Sequence, residues 1–444
     1  MKSIQPRIAA WTVVLGLASK SFGSPSHFNR GNAGNANASN TTAILPLTNF
    51  ANQAYAVPIS INGLEFLAQP DLGSTDLVAF AEAFIPNATN LTIPVADKFG
   101  EGEAIGFLEQ GTAGIGNFAI PNQTFTQFQT EGDFDGPTGL NGILGLGPRF
   151  FSISFYSLAG TPRALMVPDR IFAANPGIPH ILTIQYSRIL SDDKGAVSQD
   201  GGNFTVGTVL SDDGLEAVQE QPKLPVSQDP STILHQHWEV LLDADGITGP
   251  DGRPINTTSV FKNSGSSDKR QLRAFFDSGF TFPSVPENVA SAIYGRVPGA
   301  SLNASASPPY WTVPCDYELN ISFSFAGVEY PIHPLDVSVP YDIANQTLPN
   351  GTCMGTFQPS DFAANAAMGA GNYDIIMGMP FLRNVYFLLD FGNYTAAADP
   401  NGPDAFIQLL STTNKTRAHE EFVDVRLGGN DTTGSQPPLQ ALSQ

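Results

Sequence analysis

Cationic side chains and cysteine are both scarce in this chain of 444 residues. Lysine and arginine together number 21 against 41 aspartates and glutamates, a formal charge of −20. So acidic a balance argues against nucleic acid or an anionic membrane surface as a partner, because either would repel it. It suits a protein that stays soluble in acid, where carboxylates take up protons before the net charge passes through zero. Cys315 and Cys353 are the only cysteines, too few for a structural zinc site by themselves. In an oxidising compartment they are expected to form one disulfide, a loop closure worth about 4 kcal/mol in the chain-entropy picture. Long apolar runs are lacking as well: Ile8 to Ala18 is too short to span a bilayer, and no later run is long enough.

What the chain does contain is glycine and proline, 43 and 35 residues, with only 14% charged residues. That composition favours a β-rich, turn-rich protein over a helical one, and the length favours two lobes over one core. Lys2 and Arg7 flank the start of the Ile8 to Ala18 run, and Ser21-Phe22-Gly23 offers a small-x-small cleavage site. Residues 1–23 therefore read as a signal peptide, and the mature protein as soluble, secreted and extracellular, without a stable membrane anchor. Sequons recur along the chain, Asn87, Asn90, Asn122, Asn256 and Asn414 among them, and predict a glycoprotein.

Residues 24–44 are rich in Asn, Ser, Gly and Ala and read as a low-complexity leader. Tyr55 to Ile61 alternates and runs into Asn62-Gly63, a hairpin signal. Phe99 to Gly116 is rich in glycine and reads as a mobile hairpin. Gln221 to Pro230, polar and proline-containing, separates an N-terminal lobe (45–225) from a C-terminal lobe (226–411). Val285 to Arg296 is a short helix candidate, and residues 412–444 read as a polar tail, loosely held. His235 and His237 lack a third ligand, so no metal is assigned, and surface histidines are the simpler account. Phe107, Phe125 and Phe128 are expected in the first lobe's core rather than in a cleft.

Two stretches repeat one pattern about two hundred residues apart. FLAQPDLGSTDLVAF (Phe66 to Phe80) and RAFFDSGFTFPSVP (Arg273 to Pro286) each lead from a β-prone run into Asp-x-Gly. If the two turns meet, Asp71 and Asp277 become a carboxylate pair. Two carboxyls about 3 Å apart share a proton, so that one serves as general base and the other as general acid. Such a pair activates water without a covalent intermediate.

The ordered set of Asp71-x-Gly73-Ser74, the glycine-rich Phe99 segment, Ile143-Leu144-Gly145, Trp238-Glu239-Val240, Asp277-Ser278-Gly279, the two cysteines, and Ile376-Met377-Gly378 before Phe381-Leu382-Arg383 resembles the pepsin-like aspartic endopeptidases from about Tyr55 to Leu410. The resemblance implies a mainly β, bilobal pepsin-like acid protease fold with an active-site cleft between two β-rich lobes. It implies peptide or protein substrates, no metal or organic cofactor, and a monomer. Asp71 and Asp277 are then the catalytic pair, supported by Gly73, Ser74, Ser278 and Gly279. Ile143-Leu144-Gly145 and Ile376-Met377-Gly378 thread beneath the two turns, and Phe99, Gly100, Glu101 and Gly102 form the substrate-binding flap.

Several positions depart from the family pattern. Leu72 stands where a hydroxyl usually follows the first aspartate, which removes half of a crossed hydrogen-bond clasp between the turns and leaves Ser278 to make the other half. Phe280 replaces a hydroxyl residue that usually bonds the second aspartate, Phe99 replaces the flap tyrosine, and Val78 replaces the tryptophan that bonds it. Pro70 removes a backbone donor directly before Asp71. The segment before Tyr55 is short and poor in Lys and Arg, unlike the basic leader of family zymogens. These departures keep two alternatives open: a catalytically weak or inactive protease-like protein that holds peptides, an enzyme or a wall polymer without cutting, and a structural extracellular domain with a closed cleft.

Overall fold

A computed structural model describes residues 42–81, 83–99, 102–129, 139–149, 152–158, 161–227, 237–261, 268–342, 346–349, 351–361, 373–395 and 402–441. The signal-peptide segment lies outside the described residues. Ala43 and Ile44, counted above with the leader, pair as strand opposite Val206 and Thr205.

The two Asp stretches are built alike. Leu64–Asp71 runs parallel to Gly142–Gly145, with Asp71 opposite Gly145, and the chain returns from its turn as Leu77–Phe80, antiparallel to that same strand. In the second half Arg273–Phe276 runs parallel to Ile375–Met377, and the returning Ser284–Pro286 is antiparallel to it. Each inserted strand is bonded on both edges and covered on both faces, so it is an apolar run rather than an alternating one. The next neighbours correspond too. Leu77–Phe80 pairs in parallel with Phe118–Gln129, and Ser284–Pro286 with Gln358–Ser360.

Beneath the two Asp units a six-stranded sheet draws on both halves of the chain, in the order Ala43–Pro46, Gly202–Val206, Ile181–Tyr186, Val385–Asp390, Phe406–Ser411, Leu224–Pro225. Its central joint sets Ile181–Tyr186 antiparallel to Val385–Asp390. Continuous hydrogen bonding across that joint gives the two lobes a common floor. The buried Trp238 adds a cross-link by donating from Nε1 to the Leu146 carbonyl at 2.9 Å.

The helix expected near residue 290 is present as Glu287–Tyr294, burying Val289, Ala290, Ile293 and Tyr294. Cys315 and Cys353 are disulfide-bonded, with Cα atoms 4.9 Å apart. Phe125 and Phe128 are buried, whereas Phe107 is 36% exposed on the hairpin strand Gly102–Ile115, contrary to the core assignment. No helix among the described residues is long and apolar enough to cross a membrane.

The expectation of a loose tail is overturned. Lys415–Leu427 is a helix, started by the Asn414 side chain accepting from Arg417 N and ended at Gly428 with φ of 63°. It buries Ala418, Phe422 and Val423. Arg426 donates to Ser338 O at 2.9 Å and to Cys353 Sγ at 3.0 Å, and pairs with Asp192 at 2.8 Å. Beyond the helix, Tyr317 Oη donates to Pro437 O and Gln440 N to Arg296 O. The segment is polar in composition because most of its anchoring contacts are polar.

Candidate active site

Both Asp side chains are buried, Asp71 at 3% and Asp277 at 4% exposure. The turns that present them meet face to face. A Cβ on Gly279 would lie 2.5 Å from Asp71 Oδ1, and one on Gly73 would lie 2.5 Å from Asp277 Cγ. Each lobe's glycine thus leaves the space that the other lobe's carboxyl occupies, a close approach that any side chain would block. The two carboxyls are close enough for each to act on the titration of the other.

Half of the clasp between the turns is present as expected. Ser278 Oγ accepts from Leu72 N at 3.0 Å and donates to the Pro70 carbonyl at 2.7 Å. Leu72 itself is fully buried in the main hydrophobic cluster. A second cross-lobe bond, which sequence reasoning missed, stands beside it: Gln69 Nε2 donates to the Ser278 carbonyl at 2.8 Å. Gln69 lies two residues before Asp71 on the same strand face, but strand alternation does not name its distant partner.

Comparison with known proteins agrees with this geometry. Residues 253–398, which include the Asp277 turn and the strand threaded beneath it, match the eukaryotic aspartyl protease family. The chain is 25% identical over 381 residues to major aspartyl peptidase 1 of Cryptococcus neoformans var. grubii, covering 79% of this chain and 69% of the relative. It is 25% identical over 377 residues to a vacuolar aspartic protease of Candida albicans, covering 80% and 77%. The match to the family lies in the second half of the chain, and over most of its length the chain is similar to aspartic proteases. The crystal structure of an aspartic proteinase from Irpex lacteus shares the fold, with a TM-score of 0.58 at 17% identity over 85% of this chain and 99% of that one.

The two carboxyls are almost equally buried but unequally hydrogen-bonded. Asp71 Oδ1 accepts from Gly73 N at 2.9 Å, and Oδ2 accepts from the Ser74 hydroxyl. Asp277 Oδ1 accepts from Gly279 N at 2.8 Å, and the position that usually supplies a hydroxyl is Phe280. Burial raises the pKa of Asp71, while Ser74, Gly73 and Asp277 pull the other way. Burial also raises Asp277, the Asp71 charge adds to it, and the pKa stands well above the usual carboxylate range. Both the Asp71 charge and the lack of a side-chain hydroxyl donor among the described residues make Asp277 the harder of the two to ionise.

The Phe280 ring joins Phe261 and Tyr373 around the buried Phe275 and Ile376. Phe275 is two residues before Asp277, so this apolar cluster adjoins the second carboxyl. His237, read above as a surface histidine, is half-buried and stacks on Phe275 with ring centroids 4.0 Å apart; His235 lies outside the described residues. No cluster of metal-ligating side chains occurs among the described residues. On the first-lobe side Val78, Val95, Leu108 and Phe128 form a separate cluster with Phe80, Ile93 and Ile143 against it. Thr89–Phe99 and Gly102–Ile115 pair as a hairpin closed by Phe99 opposite Gly102. The tip positions Gly100 and Glu101 lie outside the described residues.

Proposed function

We propose that this chain is a secreted aspartic endopeptidase in which Asp71 and Asp277 hydrolyse peptide bonds through a shared water. The observation that carries the reading is the mutual packing of Gly73 and Gly279 against the opposite carboxyls, which produces a buried carboxyl pair. In the mechanism Asp71 accepts a proton from the water as it attacks the scissile carbonyl, and Asp277 gives its proton to the developing oxyanion. Gly73 N and Ser74 hold the Asp71 carboxylate in its charged form. An extended peptide in the cleft lies under the Thr89–Phe99 hairpin, with apolar side chains directed to the clusters beside each turn. Secretion is supported by the disulfide and by the exposed sequon asparagines Asn87, Asn90, Asn122, Asn256 and Asn414.

The test is cleavage of a denatured protein substrate from about pH 2 to about pH 7 by folded protein, with and without pepstatin. Acid-limited cleavage that pepstatin blocks is expected. Folded protein that cuts nothing at any pH would sink the reading and leave the peptide-binding alternative, which Leu72, Phe280 and Phe99 favour.

The apolar ring at position 280 sets a further expectation. Phe280→Thr restores a hydroxyl donor to Asp277 and removes an apolar neighbour, both of which stabilise the charged form. The acidic limb of the pH profile is expected to move down by about half to one pH unit. An acidic limb that stays in place would show that Phe280 does not set the titration of the pair.

A further inference from the structure

Under the Asp turns two tyrosines pack edge to face, Tyr55 and Tyr186, with ring centroids 4.7 Å apart. Both are buried, at 1% and 5% exposure, and they come from strands of two different sheets, Ala54–Ile61 and Ile181–Tyr186. Their hydroxyls differ. Tyr55 Oη donates to the Ser187 carbonyl and accepts from Asn49 Nδ2, each at 3.0 Å. Tyr186 Oη makes no full hydrogen bond among the described residues. Ser278, the residue that clasps the two Asp turns, is near enough to act on this hydroxyl, as are the charges of Asp71 and Asp277.

A buried hydroxyl without a full hydrogen bond is costly, and a phenylalanine would fill the same space without that cost. Ser278 Oγ already accepts from Leu72 N and donates to Pro70 O, so a second lone pair is free to accept. The family hydroxyl that would sit at position 72 is absent, which makes Ser278 the single side-chain hydroxyl of the clasp. Resting on the reading of Asp71 and Asp277 as the catalytic pair, we propose that Tyr186 is a positioning residue whose hydroxyl donates to Ser278 Oγ as the two turns close on substrate. Burial, the largest influence, holds the phenol far above its ordinary range, so the group stays a proton donor at every working pH. Its O–H dipole then points its positive end toward the pair and favours the single negative charge there.

The test is Tyr186→Phe, alone and combined with Ser278→Ala. The single variant is expected to melt at the same temperature as the wild type or above it. Its kcat should nonetheless fall about threefold to tenfold at unchanged KM, and the acidic limb should rise by a few tenths of a pH unit. In the Ser278→Ala background the same change should move neither quantity further. An unaltered rate and pH profile overturns the proposal, and so does a lowered melting temperature without a pH shift, which is the mark of a packing role. If the wild type cleaves nothing, the protease reading fails on its own. The slope of melting temperature against pH, which the buried pair produces without turnover, then tests Tyr186: a slope identical in the wild type and Tyr186→Phe overturns it.

Discussion

Asp277→Asn is expected to lower kcat for peptide cleavage by roughly a thousandfold or more, with substrate binding largely kept. The substitution keeps the shape of a side chain packed against Gly73, but it removes the proton donor and the acid–base exchange with Asp71. Stability should respond in the opposite sense. Burial first, and then the Asp71 charge, raise the Asp277 pKa above its unfolded value. Between those two pKa values the folded state holds a proton that the unfolded state has lost, so stability falls as pH rises through that window. Asparagine has no such window. The variant should therefore match the wild type in strongly acidic buffer and melt higher near neutrality, measured by thermal denaturation across pH. Cleavage near wild-type rates would exclude the two-aspartate mechanism. A variant inactive but with an unchanged stability profile would show that Asp277 is not held protonated by its surroundings.

How much of this was legible before the structure depended on how local each signal was. Asp71-x-Gly73 and Asp277-x-Gly279 are short motifs whose glycines declare a tight approach, and the structure brings them together. Two cysteines permit one intramolecular pairing, and it forms. Gln69, Tyr186 and Trp238 act across the lobe junction through side chains whose partners lie far away in sequence, Ser278 from Gln69 and Leu146 from Trp238. No spacing rule connects such pairs. The loss of a hydroxyl at Leu72 was readable, but its compensation by Gln69 was not, since a lone glutamine before an Asp turn has no special pattern. The C-terminal helix was misread for a related reason. Ala418, Phe422 and Val423 are its buried residues, and it is fixed by Glu421 on His333, His419 on Glu318 and Arg426 on Asp192, contacts that polar composition conceals.

The second large effect belongs to the ion cluster at the foot of the lobe junction. Asp336 is 1% exposed and accepts from Arg383 Nε at 2.8 Å and Nη2 at 2.6 Å, from Asn384 Nδ2 at 2.9 Å, and from Arg188. Arg383 also donates to the Asn52 carbonyl, so one carboxylate gathers cations from both halves of the chain. Burial alone would raise the Asp336 pKa, but the Arg188 and Arg383 guanidiniums more than offset it and hold the carboxyl well below the usual range. Asp336→Ala leaves two guanidiniums buried without their counter-ion and should cost about 3 to 5 kcal/mol of stability at neutral pH. A depressed folded-state pKa gives stability that is present above the unfolded value and lost as pH falls toward the folded one. The penalty of the variant should therefore shrink in strong acid yet persist at moderately acidic pH, where ordinary carboxylates are already protonated. His333 beside the cluster works against it there. Burial first, and then Arg188, push its pKa down to about 4, so stability is lost as pH falls from the ordinary histidine range toward that value. Denaturant titrations of the wild type and Asp336→Ala at neutral and acidic pH separate these contributions. A loss below about 1 kcal/mol at neutral pH would mean that the junction is held by the shared sheet and the Trp238 cross-link rather than by the buried charges.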